Sequence, residues 1–250
     1  MMKSRILNID ILLITRSELL AKMNEGVLYT PNVDHLCKLQ HDREFYEAYR
    51  RAEWVICDSR ILLHVSRLLK QPIKGAIPGS CFFRDFYLYH RNNPDCRIFL
   101  LGSAEGVAQK AMKRINEKLG CNIVIGAHSP SFGFEKNQEE CRKVIDMVNA
   151  SNATVLVVGV GAPKQEKWIA KYRYDMPGIK LFMALGATID FEAGVKKRAP
   201  LIWQKMSLEW LYRFLCDPKR LFRRYFVDDI KFFWHFGKQL LGKYRNPFEV

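Results

Sequence analysis

The sequence predicts an α/β fold: a Rossmann-like, mainly parallel sheet with helices on both faces, followed by a basic helical C-terminal appendage. Three observations predict it. Short apolar runs alternate with amphipathic stretches and are joined by brief Gly/Pro/Asn turns, the pattern of βα units with right-handed crossovers. The best of those runs, Ala153-Thr-Val-Leu-Val-Val158, is almost continuously apolar, as a strand buried on both faces must be. And the basic charge collects at one end. Residues 195–250 hold thirteen Lys/Arg against five Asp/Glu, so +8 of the net +14 lies in less than a quarter of the chain.

The elements follow in order. Arg5 to Leu13 reads as a strand or strand pair, and Thr15 or Ser17 can cap a short helix over 17–25. Val27 to Thr30 is an apolar run stopped by Pro31-Asn32. Val33, Leu36, Leu39, Phe45 and Tyr49 then fall on one helical face. Trp54 to Cys57 is a buried-type strand with Asp58 directly behind it, and 61–69 is helical. Pro72 to Gly79 is a loop, 82–90 a helix, and Arg97 to Leu101 a strand running into Gly102-Ser-Ala-Glu-Gly106. Helix 105–119 stops at Gly120. Strand 123–125, a loop to Phe134, helix 138–150, strand 153–158, helix 165–174 and strand 180–185 complete the alternation. Gly186-Ala-Thr-Ile-Asp190 leads to Gly194, where composition shifts. The predicted division is therefore an α/β body, 1–194, and a basic, aromatic-rich helical appendage, 195–250.

Composition narrows the classes. With 48% hydrophobic residues the chain can fill a core of single-domain size. Seven cysteines form no Cys-x-x-Cys pair and read as reduced thiols of a cytosolic protein. Asp10 and Arg16 interrupt the first apolar stretch, so no secretory leader is expected, and no window reaches the roughly 18 apolar residues of a membrane span. The six histidines are scattered, with no His/Cys cluster and no paired-aspartate motif, so neither a metal site nor a cofactor is expected.

In an open α/β sheet, ligands bind beyond the carboxyl ends of the strands. The polar residues there are Thr30 and Asn32, Asp58, Gly102 and Gly106, the Gly159–Gln165 stretch, and Gly186 to Asp190. Gly102-x-x-x-Gly106 and Gly159-x-Gly161 suit phosphate-cradling turns, or simply tight strand–helix turns that need glycine. Neither completes G-x-G-x-x-G, which disfavours a nicotinamide enzyme. Asp58 reads either as the cap of the following helix or as a general base at a strand end. Asp190 has the same ambiguity. With no metal, a diphosphate would be neutralised by arginine and helix dipoles. The tail can supply the arginines: Arg220 and Arg223 share a helix face, with Arg213 one helix earlier. Its aromatics are too many for a purely solvated face. Ile230, Phe233, Trp234, Leu240 and Leu241 lie on one stripe beside Lys231 and Lys238, the pattern of an interfacial helix drawn to anionic lipid.

Longer strings carry a resemblance. Thr30-Pro-Asn32, Asp58, Gly159-Val-Gly161-Ala-Pro-Lys164-Gln165-Glu166-x-Trp168-Ile169, Asp190-Phe-x-Ala-Gly194-x-x-x-Arg198-Ala-Pro200 and Leu208-Glu-Trp-Leu-Tyr-Arg213 are together similar to the WecG/TagA/CpsF glycosyltransferases, family 26, over about Asn8 to Tyr225. The resemblance implies an inverting, metal-independent enzyme at the inner face of a bacterial membrane. Such an enzyme moves a sugar from a UDP-sugar to a polyprenyl-diphosphate-linked sugar, in synthesis of a surface polysaccharide or wall polymer. It implies Asp58 as the base. It also implies a binding set of Thr30, Asn32, Gly102, Gly161, Lys164, Gln165, Glu166, Gly186 and Asp190, with Arg213, Arg220 and Arg223 closing over the diphosphate. The chain departs from the family pattern at Ser59, where glycine is usual, at Ala76, where arginine is usual, and at Cys81, often an aspartate; Lys74 is the nearest cation to replace the arginine. The other reading of the basic tail is a nucleic-acid-binding protein, which would show itself by salt-dependent binding.

Overall fold

The computed structural model describes every residue but 198, 201, 202, 204–208 and 250, and omits the side chains of Glu209, Arg213 and Arg220. Six parallel strands form the central sheet: β3 (Gly26–Tyr29), β4 (Trp54–Val55), β5 (Ile98–Gly102), β6 (Val124–His128), β7 (Val155–Gly159) and β8 (Leu181–Ala184). Their order is β4-β3-β8-β7-β5-β6. β1 (Lys3–Ile6) and β2 (Ile9–Leu12) pair as a separate antiparallel hairpin, so the first apolar stretch is a strand pair.

The helices of the body cover both faces, as a parallel sheet requires. Leu19 of α1 (Arg16–Lys22), Phe82, Phe83 and Phe86 of α5 (Gly79–Tyr89), Ala111 and Ile115 of α6 (Val107–Leu119) and Ile189 of α9 (Thr188–Glu192) pack with Leu100, Val157 and Met183. On the other face Leu36 of α2 (Val33–Lys38), Phe45 of α3 (Arg43–Arg50), Leu62 of α4 (Arg60–Ser66), Val144 of α7 (Gln138–Ala150) and Trp168 of α8 (Lys164–Tyr172) pack with Tyr29, Leu101, Val158 and Ala184. Sequence periodicity suggested one helix from Val33 to Tyr49. The structure breaks it in two, because the Asp42 carboxylate accepts from the Phe45 N–H and starts a new helix. At α1, Thr15 is the cap, in a reciprocal capping box with Glu18.

The C-terminal segment comprises α10 (Glu209–Cys216), α11 (Pro218–Arg223), one π-helical turn (Arg224–Asp228) and α12 (Ile230–Leu240). Its aromatic rings satisfy one another: Trp210 meets Tyr225 at 5.9 Å and Phe214 meets Phe226 at 5.4 Å between centroids. α12 is two-sided. Phe232 and Phe236 are buried in the same core as α2 and α3, whereas the Ile230, Phe233, Trp234, Leu240 and Leu241 stripe faces solvent. Beyond α12 the chain folds back on the body. Gln239 exchanges hydrogen bonds with Leu7 N–H and the Arg5 carbonyl, Tyr244 donates to Gln40, and Phe248 stacks on Tyr46. Phe232 and Phe236 therefore belong to the main core, with Tyr244 and Phe248 packed against it. Among the described residues no helix is long and apolar enough to cross a membrane.

Candidate active site

Strand register lines up Val55, Tyr29, Ala184, Val158 and Leu101 across the sheet, so the loops beyond them leave at one level. The chain turns outward in opposite directions after β5 and β7, the switch-point geometry that opens a crevice.

At the β4–β3–β8 end, Asp58 Oδ1 accepts the N–H of Gly79, the first residue of α5, at 2.8 Å. The Asp58 N–H donates to the Pro31 carbonyl at 3.2 Å, which ties it to the Thr30–Asn32 loop. Ser59 caps α4 by accepting from Leu62, so Asp58 is left out of the capping role. Gly79 fits closely here: a Cβ would lie 2.9 Å from Leu185 Cδ2, which would have to shift, and 3.4 Å from Thr30 Oγ1. Asn32 caps α2, accepting from the His35 N–H.

At the centre, three glycines permit backbone to meet backbone. A Cβ on Gly102 would stand 2.6 Å from the carbonyl of Gly159, and one on Gly159 would stand 2.6 Å from the Gly186 oxygen. Gln165, buried, bridges the loops after β7 and β8: its Oε1 accepts from Gly161 N–H and from Gly186 N–H, both at 3.1 Å. Of the glycines read as a phosphate-cradling or tight strand–helix turn, Gly161 has its N–H on the Gln165 side chain. Behind it Glu166 is fully buried, and its Oε1 accepts from Gln165 Nε2 at 2.9 Å while Oε2 has no hydrogen-bond partner. Burial pushes this carboxyl up to about 7. The only side chain that hydrogen-bonds this carboxylate among the described residues is Gln165.

Toward β5 and β6, Asp190 is held by Ser103 Oγ on one oxygen and Lys196 Nζ on the other. Lys164 opens α8, 3.3 Å from Glu135 and 4.3 Å from the centroid of the exposed Phe132 ring. Sequence reasoning gave no role to Ser103 or Phe132. The positive φ of Ser103, 65°, has no signature in the residue type.

The tail arginines are described only in part. Arg223 is exposed; the side chains of Arg213 and Arg220, and Arg198, lie outside the described residues. Arg224 turns inward instead, 3.5 Å from Asp34 in the first turn of α2 and 4.0 Å from Asp229. Burial works to raise Asp34, but Arg224 and Lys38, the latter 2.7 Å away, outweigh it and hold its carboxyl low. Burial lifts Asp229 to about 6, with the Asp34 and Asp228 carboxylates adding to the rise and Arg224 opposing it; its Oδ1 has no hydrogen-bond partner. Lys74, the candidate replacement for the missing arginine, points to Glu18 at 3.7 Å. Ala76 and Cys81 are half-buried near the start of α5. No group of three or more His, Cys, Asp or Glu side chains among the described residues is arranged to hold a metal ion.

The description "Glycosyl transferase WecG/TagA/CpsF family" matches residues 4–246. The chain belongs to this family. It is therefore a glycosyltransferase with a Rossmann-like α/β body. Similar curated proteins include the N-acetylglucosaminyldiphosphoundecaprenol N-acetyl-beta-D-mannosaminyltransferases of Staphylococcus aureus. The protein of strain MRSA252 is 31% identical over 201 residues, 80% of this chain and 76% of its own length. That of strain NCTC 8325 / PS 47 is 30% identical over the same shares. The matched region, 4–246, takes in α12 and the residues that fold back onto Tyr46 and Gln40. The family match thus includes the C-terminal segment as well as the α/β body.

Proposed function

We propose that this protein is an inverting, metal-independent hexosyltransferase that moves an N-acetylmannosamine-type sugar from a UDP-sugar to a polyprenyl-diphosphate-linked N-acetylglucosamine. What carries the reading is Asp58: in a chain of this family, it stands at a strand end with one carboxylate oxygen fixed by the Gly79 N–H. In the proposed step Asp58 takes the proton of the acceptor hydroxyl. The hydroxyl oxygen attacks the anomeric carbon opposite the UDP, the sugar–phosphate C–O bond breaks, and its electron pair leaves on the diphosphate. Thr30 and Asn32 flank the base, and Lys164 and Asp190 stand at the far end of the crevice. Arg213, Arg220 and Arg223 neutralise the diphosphates where other enzymes use a metal.

The exposed aromatic and basic side of the tail supports a place at the anionic inner face of the cell membrane. Phe222, Phe226, Phe233 and Trp234 are exposed, as are Lys219, Arg223 and Lys231. Ring pairs of the tail argue against nucleic acid: Trp210 packs edge to face on Tyr225 and Phe214 on Phe226, so these pairs offer no row of stacking platforms. The test is a donor screen that follows UDP release with a short-chain lipid-diphosphate-GlcNAc acceptor. Turnover with UDP-N-acetylmannosamine in the presence of EDTA is expected. Turnover only with added divalent metal, or with no UDP-sugar at all, would refute the reading.

A further inference from the structure

Gln165 and Glu166 are adjacent in sequence and both buried, yet they face one task. The Gln165 amide oxygen has two lone pairs, and the Gly161 and Gly186 N–H groups use both. Reversing the amide would set its NH2 against two N–H donors, so its sense is fixed on that side. On the other side its Nε2 donates to Glu166 Oε1. Glu166 is itself fixed: the Tyr29 hydroxyl donates to its backbone carbonyl at 2.9 Å, and the Tyr29 ring lies 5.0 Å from that of Tyr49. Gly161 and Gly186 both have positive φ, 86° and 53°, so neither loop has a backbone conformation that local sequence alone would hold.

We propose that Glu166 is a positioning residue: by accepting the Gln165 amide it fixes the oxygen that gathers the Gly161 and Gly186 N–H groups, and so sets the spacing of the two loops at the ends of β7 and β8. Those loops floor the crevice, so the inference rests on the proposed function for its meaning but not for its geometry. A buried carboxyl whose second oxygen lacks a partner is a costly choice for a core position. A role confined to Oε1 accounts for it, since a leucine would fill the space without the acceptor.

The test reads the loops directly. Amide hydrogen exchange is followed at residues 161 and 186 in wild type and in Glu166→Gln, Glu166→Leu, Glu166→Ala and Gln165→Ala, with unfolding midpoints recorded alongside. Glu166→Gln keeps an acceptor oxygen and should exchange like wild type at both sites. Glu166→Leu, Glu166→Ala and Gln165→Ala should each speed exchange at both sites by about tenfold, the loss of one ordinary hydrogen bond. Leucine keeps the volume and alanine admits water, so the result is read on whichever folds. Where turnover is measurable, kcat should fall in the same three variants and recover in Glu166→Gln. Wild-type exchange at 161 and 186 in a folded Glu166→Leu or Glu166→Ala protein would overturn the proposal. Absence of any transfer by the wild-type enzyme would instead count against the proposed function and leave this one standing on its exchange data.

Discussion

Asp58 and Gly79, twenty-one residues apart, are joined by a hydrogen bond of 2.8 Å from the N–H that begins α5 to the carboxylate three residues beyond β4. The contact fixes one carboxylate oxygen and turns the positive end of a helix toward it. A side chain at Gly79 would have to displace Leu185, whose Cδ2 lies 2.9 Å from the place of a Cβ, with Thr30 Oγ1 at 3.4 Å. Replacement Gly79→Ala should push the α5 start away from β3 and loosen Asp58. We expect kcat to fall about tenfold, a 1.4 kcal/mol effect, with a smaller change in donor KM. The unfolding midpoint should drop by only about 2–4 °C. Steady-state kinetics and a thermal melt check it.

Glu166 should make stability pH-dependent. Its carboxyl is raised to about 7 in the folded protein by burial, against 4.5 as the unperturbed value, with Tyr29, Tyr49, Asp34 and Lys38 the ionisable neighbours. A raised carboxyl pKa means that folding binds the proton more tightly. The stabilisation is complete below about pH 4.5 and is lost as pH rises through 7. Glu166→Gln cannot ionise, so its stability relative to wild type should grow between pH 4.5 and 7, by on the order of 2–3 kcal/mol, and level off above. Urea unfolding of both proteins across that range measures it. A constant difference would show that Glu166 is not held neutral.

The tail arginines should separate into two kinds. Arg224 reaches Asp34 and Asp229, so Arg224→Ala leaves Asp34 to Lys38 alone and takes the nearby guanidinium from Asp229. Arg224 itself is one-third exposed and partly screened, so we expect a loss of about 1–3 kcal/mol rather than the larger cost of a buried pair. Arg223 is exposed, and Arg223→Ala should cost less than about 0.5 kcal/mol while still lowering turnover. Denaturant melts paired with kinetics distinguish them.

The two sides of α12 give another contrast. Phe233 and Trp234 are 50% and 67% exposed, whereas Phe232 and Phe236 are in the core. Phe233→Ser with Trp234→Ser should lower binding to vesicles containing anionic lipid by about tenfold or more, leaving stability within about 1 kcal/mol. Phe232→Ala should do the reverse, destabilising by about 3–5 kcal/mol. Vesicle sedimentation and unfolding curves read the two effects.

The alternation of apolar runs and turns made the sheet legible, because strands buried on both faces cannot hide their composition. Asp58, Gln165 and the glycines were legible from their place behind strands and from the family strings. What sequence did not reveal depends on distant partners. Nothing in Arg223-Arg224 says which side chain turns inward; Asp34, 190 residues earlier in the chain, decides it. Nothing in Gly161 says that its N–H is already taken. Nor does composition disclose that Phe232 and Phe236 join the main core, since exposed Lys231, Phe233 and Trp234 stand next to them in sequence. Deleting the whole tail would uncover Tyr46, Leu36 and their neighbours, so single exposed residues are the better probes of its role.

The most direct test of the account is the turnover of Asp58→Asn. Asparagine keeps an oxygen to accept the Gly79 N–H, so the fold should be preserved and the melting curve should overlay that of wild type. It cannot take a proton. Transfer from UDP-N-acetylmannosamine to a lipid-diphosphate-GlcNAc acceptor should therefore fall by about 10²–10⁴-fold with little change in donor KM. An Asp58→Asn enzyme that turns over at the wild-type rate would contradict the central claim that Asp58 is the base.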